Sequence, residues 1–188
     1  GELRGKTLLD ACCGTGDLTL ALESAGARVV GVDFTPEMLQ HAYRKGAGRA
    51  LCFAAGDALR LPLTDRCLDG AAIAFGLRNV ADRRRGLREL ARVVRPGGAV
   101  VVLEFSLPRG RVLGSLYRTY FTRVLPCLGG WISGDASAYR YLPDTVLAWP
   151  TPEELCDEMS SLGLERCGFQ RLSGGIACLS WGHVPQPR

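Results

Sequence analysis

With 188 residues, 47% of them hydrophobic and 22% charged, the chain has the length and composition of one globular domain with room for a full core. A net charge of +4, from 23 basic and 19 acidic residues, is too mild to argue for nucleic acid, and no apolar run reaches membrane-spanning length. The eight cysteines form no C-x-x-C pair, which sets zinc aside and points to buried free thiols in a reducing, cytoplasmic compartment.

The chain opens on an apolar β-type run, Thr7-Leu8-Leu9-Asp10-Ala11, passes Cys12-Cys13 into Gly14-Thr15-Gly16, and enters a helical pattern. That order is strand, tight loop, helix. Glycines spaced by one residue let the backbone turn with positive φ and let a ligand approach where a Cβ would clash. Asp17 is placed to cap free N–H groups at the helix start. A dinucleotide loop would want a third glycine where Thr19 stands, and a phosphate loop would want Gly-Lys-Ser/Thr. The loop therefore reads as one for a nucleoside without a pyrophosphate. The helix over 17–25 puts Leu18, Ala21, Leu22 and Ala25 on one face and stops at Gly26.

A second strand over 28–32 runs into Asp33, and Thr35-Pro36 opens a helix with Met38, Leu39 and Ala42 facing inward. A third strand over 51–55 is closed by Gly56-Asp57-Ala58, and a fourth runs over 68–74. Asp82 caps the next helix, where Leu87, Leu90, Ala91 and Val94 fall at i, i+3, i+4 and i+7, and Arg95-Pro96-Gly97-Gly98 terminates it. The fifth strand, over 99–105, is apolar nearly throughout, as a central parallel strand should be. Residues 107–148, rich in aromatics and arginine, break the rhythm as an insertion within a single domain spanning 1–188. A helix over 151–162 follows, opened by Thr151-Pro152-Glu153-Glu154. Two strands over 165–170 and 176–181, joined through Ser173-Gly174-Gly175, form a closing hairpin.

Strands alternating with helices and finished by a hairpin predict an α/β fold. It is a doubly wound, Rossmann-like, seven-stranded sheet with an antiparallel last strand, the architecture of class I S-adenosylmethionine-dependent methyltransferases. A ligand in such a sheet lies over the carboxyl ends of the strands. Those ends carry Gly14, Thr15 and Gly16, then Asp33, then Asp57 with Ala58, then Ala74 with its followers. A carboxylate at Asp33 can accept hydrogen bonds from both ribose hydroxyls, and Asp57 is placed for an adenine amino group. A lone Asp at a strand end is usually a cap or turn residue. Acids at successive strand ends, together with the Gly-x-Gly loop, argue for a nucleoside.

The stretch Leu9 through Thr19 resembles the first motif of the quinone-biosynthesis C-methyltransferases, the demethylmenaquinone and ubiquinone-pathway family. Phe75-Gly76-Leu77-Arg78-Asn79-Val80, Arg95-Pro96-Gly97-Gly98, Leu103-Glu104-Phe105-Ser106, Tyr139-Arg140-Tyr141-Leu142 and Gly174-Gly175-Ile176 match further motifs in order. The glycine motifs are shared by most class I methyltransferases; Phe-Gly-Leu-Arg-Asn-Val and Tyr-Arg-Tyr-Leu are much narrower. The resemblance implies S-adenosylmethionine as cofactor, S-adenosylhomocysteine as product, and C-methylation of a polyprenylated quinol, demethylmenaquinol to menaquinol. It implies cofactor contacts from Asp10, Gly14, Thr15, Gly16, Asp33, Phe34, Met38, Asp57, Ala58 and the position of Ala74, where the family often has Ser. Family members usually carry a few dozen residues before the first strand, so the sequence is expected to be part of a longer chain.

The implied reaction needs a ring carbon made electron-rich by loss of a phenolic proton, and a phenol titrates near pH ~10. An arginine beside the ring favours the anion without being consumed, which selects Arg78, with Asn79 to orient a ring oxygen. Tyr139, Arg140 and Tyr141 are expected to line the substrate chamber. No histidine offers itself as base: His41 reads as a helix-surface residue and His183 as part of the tail. Val112, Leu113, Leu116, Tyr117, Tyr120, Phe121, Val124 and Leu125 form an apolar stripe at helical spacing with arginines off it. Such a helix can lie in a lipid headgroup layer, as a peripheral contact with the inner membrane face; the other reading of the stripe is core or a homodimer contact. Two rival readings are a methyltransferase for another small aromatic substrate and a nucleoside-binding relative without catalysis.

Overall fold

In the computed structural model, which describes residues 3–107, 145–146 and 148–187, the apolar runs pair into one seven-stranded sheet. β1 (Thr7–Ala11), β2 (Arg28–Asp33), β3 (Cys52–Ala55), β4 (Leu68–Ala74) and β5 (Val94–Phe105) run parallel. β6 (Glu165–Leu172) and β7 (Ala177–His183) form the hairpin, and β7 inserts antiparallel between β5 and β6. The order is β3-β2-β1-β4-β5-β7-β6. Strand order thus reverses at β1 and β4, so the loops leaving these two strands diverge and leave a crevice at their carboxyl ends.

Among the described residues the α-helices are α1 (Asp17–Ser24), α2 (Pro36–Lys45), α3 (Arg83–Val93) and α4 (Pro152–Ser161). Leu87, Leu90 and Val93 of α3 are fully buried against Leu9, Ile73, Val100 and Val102 of the sheet, and Met159 of α4 joins the same core. Each such side chain contributes about 1.5–3 kcal/mol by leaving water. Cys13, Leu39, Ala42 and Phe53 form a smaller cluster that seats α2 on β3. Asp82 accepts the Arg85 N–H as the N-cap of α3, and Thr151 with Glu154 closes a reciprocal capping box on α4.

Four local expectations are corrected. In α1 the N-cap is Gly16, in the left-handed region at φ 84, and Asp17 caps nothing; its carboxylate takes Thr15 Oγ1 and Lys45 Nζ instead. That start rotates Thr19 into the interior and leaves Ala21 and Ala25 exposed, while Leu18 and Leu22 are half-buried. Arg95-Pro96-Gly97-Gly98 lies inside β5, because α3 ends at Val93 and Val94 already pairs with Leu68. The four residues make the register shift before Gly70 pairs with Ala99, and a Cβ at Gly98 would sit 2.6 Å from the Asp69 carbonyl oxygen. His183 is the last residue of β7, and Cys52 is exposed, so the thiols are not uniformly buried.

Among the described residues no helix is long and apolar enough to cross a membrane. The expected amphipathic stripe, Cys127, and the chamber residues Tyr139, Arg140 and Tyr141 lie outside the described residues.

Candidate active site

The carboxyl ends of β1 to β4 open onto one cavity of about 480 Å³, a size suited to a nucleoside-sized ligand. At the end of β1 the backbone turns through two left-handed residues, Cys12 (φ 52) and Gly14 (φ 53). Cys12 holds a conformation that a side-chain-bearing residue adopts only under constraint. The constraint is visible: a Cβ on Gly76 would approach the Cys12 Cβ to 2.5 Å, so the two loops meet backbone against side chain. Burial, together with the charges of Asp10 and Asp33, pushes both the Cys12 and Cys13 thiols up to about 12, leaving them protonated and unreactive near neutrality.

Asp33 ends β2 and stitches the crevice together. Its Oδ2 accepts the Gly14 N–H at 2.8 Å and its Oδ1 accepts the Thr35 N–H at 2.8 Å. A carboxylate offers about four lone-pair directions, so two remain for a ligand in the cavity that Asp33 lines. The Gly56 N–H donates to the Asp33 carbonyl at 3.0 Å, which fixes the end of β3 beside it. Asp57 follows, exposed, with Oδ1 taking the Leu59 N–H at 2.8 Å, and Ala58 lies next to it on the same wall. Phe34 and Met38 stand on the rim, 77% and 43% exposed. Met38 was expected to face the core. Because α2 starts at Pro36, it turns toward the cavity while Leu39 and Ala42 turn inward.

The wall contributed by β4 begins one residue beyond Ala74. Phe75, Gly76, Asn79, Val80 and Ala81 line the cavity, and Ala74 itself is a half-buried strand residue paired with Leu103. Arg78 turns away. Its Nη1 donates to Glu104 Oε2 at 2.9 Å and to the Phe75 carbonyl oxygen, and its guanidinium lies 5.2 Å from the centre of the Phe105 ring. This differs from the expected open cation beside the substrate. A cation matched by a buried carboxylate favours a second anion far less than an unmatched one does. Glu104 is 2% exposed; burial pushes its carboxyl up, and the charge and bonds of Arg78 pull it partly back.

Three further expected contacts lie behind the wall. Asp10 is buried beneath the loop and accepts the Thr19 hydroxyl at 2.6 Å; burial raises its carboxyl to about 6. Thr15 Oγ1 donates to Asp17 at 2.9 Å and accepts from Lys45 Nζ at 3.0 Å. Gly16 packs on Ala42 and Phe53, where a Cβ would find 3.2–3.3 Å contacts. The structure thus brings together Gly14, Asp33, Phe34, Met38, Asp57, Ala58 and Asn79. Reading the sequence misses Cys12 and does not single out Phe75 and Gly76 among the followers of Ala74. The rule that selected Ala74, a residue at a strand's carboxyl end, would have found Phe75 and Gly76 one step further on.

The family model described as the ubiE/COQ5 methyltransferase family matches residues 1–184. A demethylmenaquinone methyltransferase of Thermus thermophilus is 48% identical over 188 residues, covering 98% of this chain and 85% of its own. One from Deinococcus radiodurans is 44% identical over 176 residues, covering 92% and 73%. Solved structures share the fold at much lower identity. An S-adenosylmethionine-dependent methyltransferase from Aquifex aeolicus superposes with a TM-score of 0.71 at 17% identity, over 98% of this chain and 85% of the other. A phosphoethanolamine N-methyltransferase from Haemonchus contortus, in complex with S-adenosylmethionine, gives 0.69 at 14%, over 97% and 49%.

Proposed function

The chain belongs to the ubiE/COQ5 methyltransferase family, and from that membership we propose that it methylates a ring carbon of demethylmenaquinol with S-adenosylmethionine. Menaquinol and S-adenosylhomocysteine are the products. The cofactor, when bound, supplies a methyl group activated on a positively charged sulfur.

The observation that carries the site assignment is the state of Asp33. Its two oxygens are each anchored by one backbone N–H, which keeps the carboxylate oriented and leaves acceptor capacity toward the cavity for ribose hydroxyls. Asp57 keeps one oxygen on the Leu59 N–H and offers the other to an adenine amino group, with Ala58 beside it. Phe34 and Met38 give a planar base an apolar rim, and Gly14 lets it close on the β1 loop. Beneath them, Asp10, Thr15 and Gly16 hold the loop in shape. Asn79, on the β4 wall, orients a ring oxygen of the acceptor, and Phe75 helps exclude water there. Arg78 acts from behind that wall. Tyr139, Arg140 and Tyr141, outside the described residues, are assigned to the acceptor by the family resemblance alone. A prenylated quinol is lipid-borne, so the enzyme works at the inner membrane surface, with the 112–125 stripe as the docking segment. Loss of liposome co-sedimentation in the double variant Leu116→Glu, Phe121→Glu tests the docking.

The main test uses the full chain with S-adenosylmethionine and a short-chain demethylmenaquinol under reducing conditions. Mass spectrometry should find the acceptor heavier by one methyl substitution, and calorimetry should find S-adenosylhomocysteine bound. Turnover of an unrelated phenol with no turnover of the quinol would overturn the substrate assignment.

A further inference from the structure

The carboxylate of Glu104, at the end of β5, is left over by the cofactor reading. It accepts three N–H bonds: Arg78 N on Oε1 at 3.2 Å, Arg78 Nη1 on Oε2 at 2.9 Å, and Phe105 N on Oε2 at 3.2 Å. These donors come from two segments, the turn after β4 and the end of β5. The same guanidinium reaches the Phe75 carbonyl and covers the Phe105 ring, and that ring meets the Phe75 ring at 4.7 Å. The Phe75 N–H donates to Leu103 O at 2.8 Å. Phe75 itself has φ 54, in the left-handed region, where a bulky residue stays only if its surroundings over-determine it. Apart from the Phe105 N–H bond within β5, these ties converge on the turn whose Phe75, Gly76, Asn79, Val80 and Ala81 form the β4 wall of the cavity.

We infer that Glu104 is a positioning residue for methyl transfer: by holding Arg78 it locks the 75–81 turn, and with it the wall that faces the cofactor and acceptor. The inference rests on the cavity being the cofactor site. The chemistry suits the task. A guanidinium is a rigid fork, so one anchored nitrogen fixes the carbonyl of Phe75 as well. Arg78 Nε is buried with no partner among the described residues, so the acid is what keeps this cation in place. Displacing a wall by about 1 Å can cost about a hundredfold in rate, although no residue touching the reacting atoms has changed.

The test compares wild type, Glu104→Gln, Arg78→Met and the double variant as full chains. Melting temperature, S-adenosylhomocysteine affinity, kcat, acceptor KM and hydrogen exchange at amides 75–80 are measured for each. Glu104→Gln should lower kcat about a hundredfold and weaken S-adenosylhomocysteine about tenfold, with acceptor KM nearly unchanged and faster exchange at 75–80. The double variant, with no unmatched charge, should regain melting temperature but not affinity, since nothing then ties the Phe75 carbonyl. If Glu104→Gln does not fold, the double variant carries the test. Affinity that returns together with melting temperature in the double variant would overturn the inference, as would wild-type kcat and affinity in Glu104→Gln. If wild type fails to bind S-adenosylhomocysteine while Glu104→Gln still loosens amides 75–80, the cofactor reading falls and the hold of Glu104 on the wall stands.

Discussion

Two carboxylates at strand ends of the same sheet are built in opposite ways. Asp33, at the end of β2, is half-buried and steadied by two backbone N–H groups, Gly14 and Thr35. Glu104, at the end of β5, is 2% exposed and takes a guanidinium in addition to two backbone N–H groups, Arg78 and Phe105. Backbone donors hold an acid in place without cancelling its charge, so Asp33 stays open to a ligand. A buried acid without a cation would take up a proton, so Glu104 needs Arg78, and the pair then has little left to offer outside itself. One carboxylate keeps acceptor capacity toward the cavity and the other is spent inside the fold. The difference lies in the partners, since the acidic group is the same.

The largest effect should separate the two by stability. Truncating Glu104 to Ala strands the Arg78 charge in the interior, and losing one partner of such a pair costs about 3–5 kcal/mol. Asp33→Ala, at a half-solvated site, should cost only about 1–2 kcal/mol for its two lost hydrogen bonds. Urea unfolding of both variants measures the gap. Equal losses would mean that Asp33 is as much a structural strut as Glu104.

A third acid extends the series. Asp10 is as buried as Glu104 but has a hydroxyl, Thr19 Oγ1, in place of a cation. Burial raises its carboxyl from 3.8 to about 6. Between those values the folded state binds more protons than the unfolded one, so this group's contribution to stability falls as pH rises through the window. The cost above it is on the order of 3 kcal/mol at most. Asp10→Asn keeps an acceptor for Thr19 and removes the titration. Its stability relative to wild type should therefore climb from pH ~4 to pH ~7 and level off. A difference that stays flat across the window would place the raised titration elsewhere.

For recognition the ranking inverts. Asp33→Asn keeps the shape but weakens charge-assisted bonds to ribose, worth about 1.5–3 kcal/mol, so S-adenosylhomocysteine affinity should fall about ten- to hundredfold. Calorimetry reads this directly, and unchanged affinity would remove Asp33 from the cofactor site.

The sheet was legible because its signals are local. Parallel strands read as apolar runs, two of them closed by Asp33 and by Gly56-Asp57, and Thr151 with Glu154 announces a helix start by itself. What escaped depends on contacts distant in sequence. Phe75 and Gly76 join the wall because Gly76 packs on Cys12 and the Phe75 N–H reaches Leu103, pairings that no window around residue 75 contains. The partner of Arg78 could not be read from its neighbours because the acid is 26 residues away on β5. Thr15 is a ligand contact by family resemblance; the partners its hydroxyl takes here, one neighbour, Asp17, and one residue on α2, Lys45, are not written in the motif.

That last clamp gives the smallest predicted effect. Lys45 Nζ meets Asp17 Oδ1 at 2.8 Å, with side chains 43% and 79% exposed. Their hydrogen bonds hold the Asp17 carboxyl below its usual range, yet water and salt screen the pair. Lys45→Ala should therefore cost less than about 1 kcal/mol, and raising the ionic strength should erase even that. Thr15 would lose one partner and keep Asp17. Because Thr15 lies outside the cavity lining, S-adenosylhomocysteine affinity should move by less than about twofold. An affinity loss in Lys45→Ala as large as that in Asp33→Asn would mean that the clamp presents Thr15 to the ligand, and that the β1 loop recognises rather than supports.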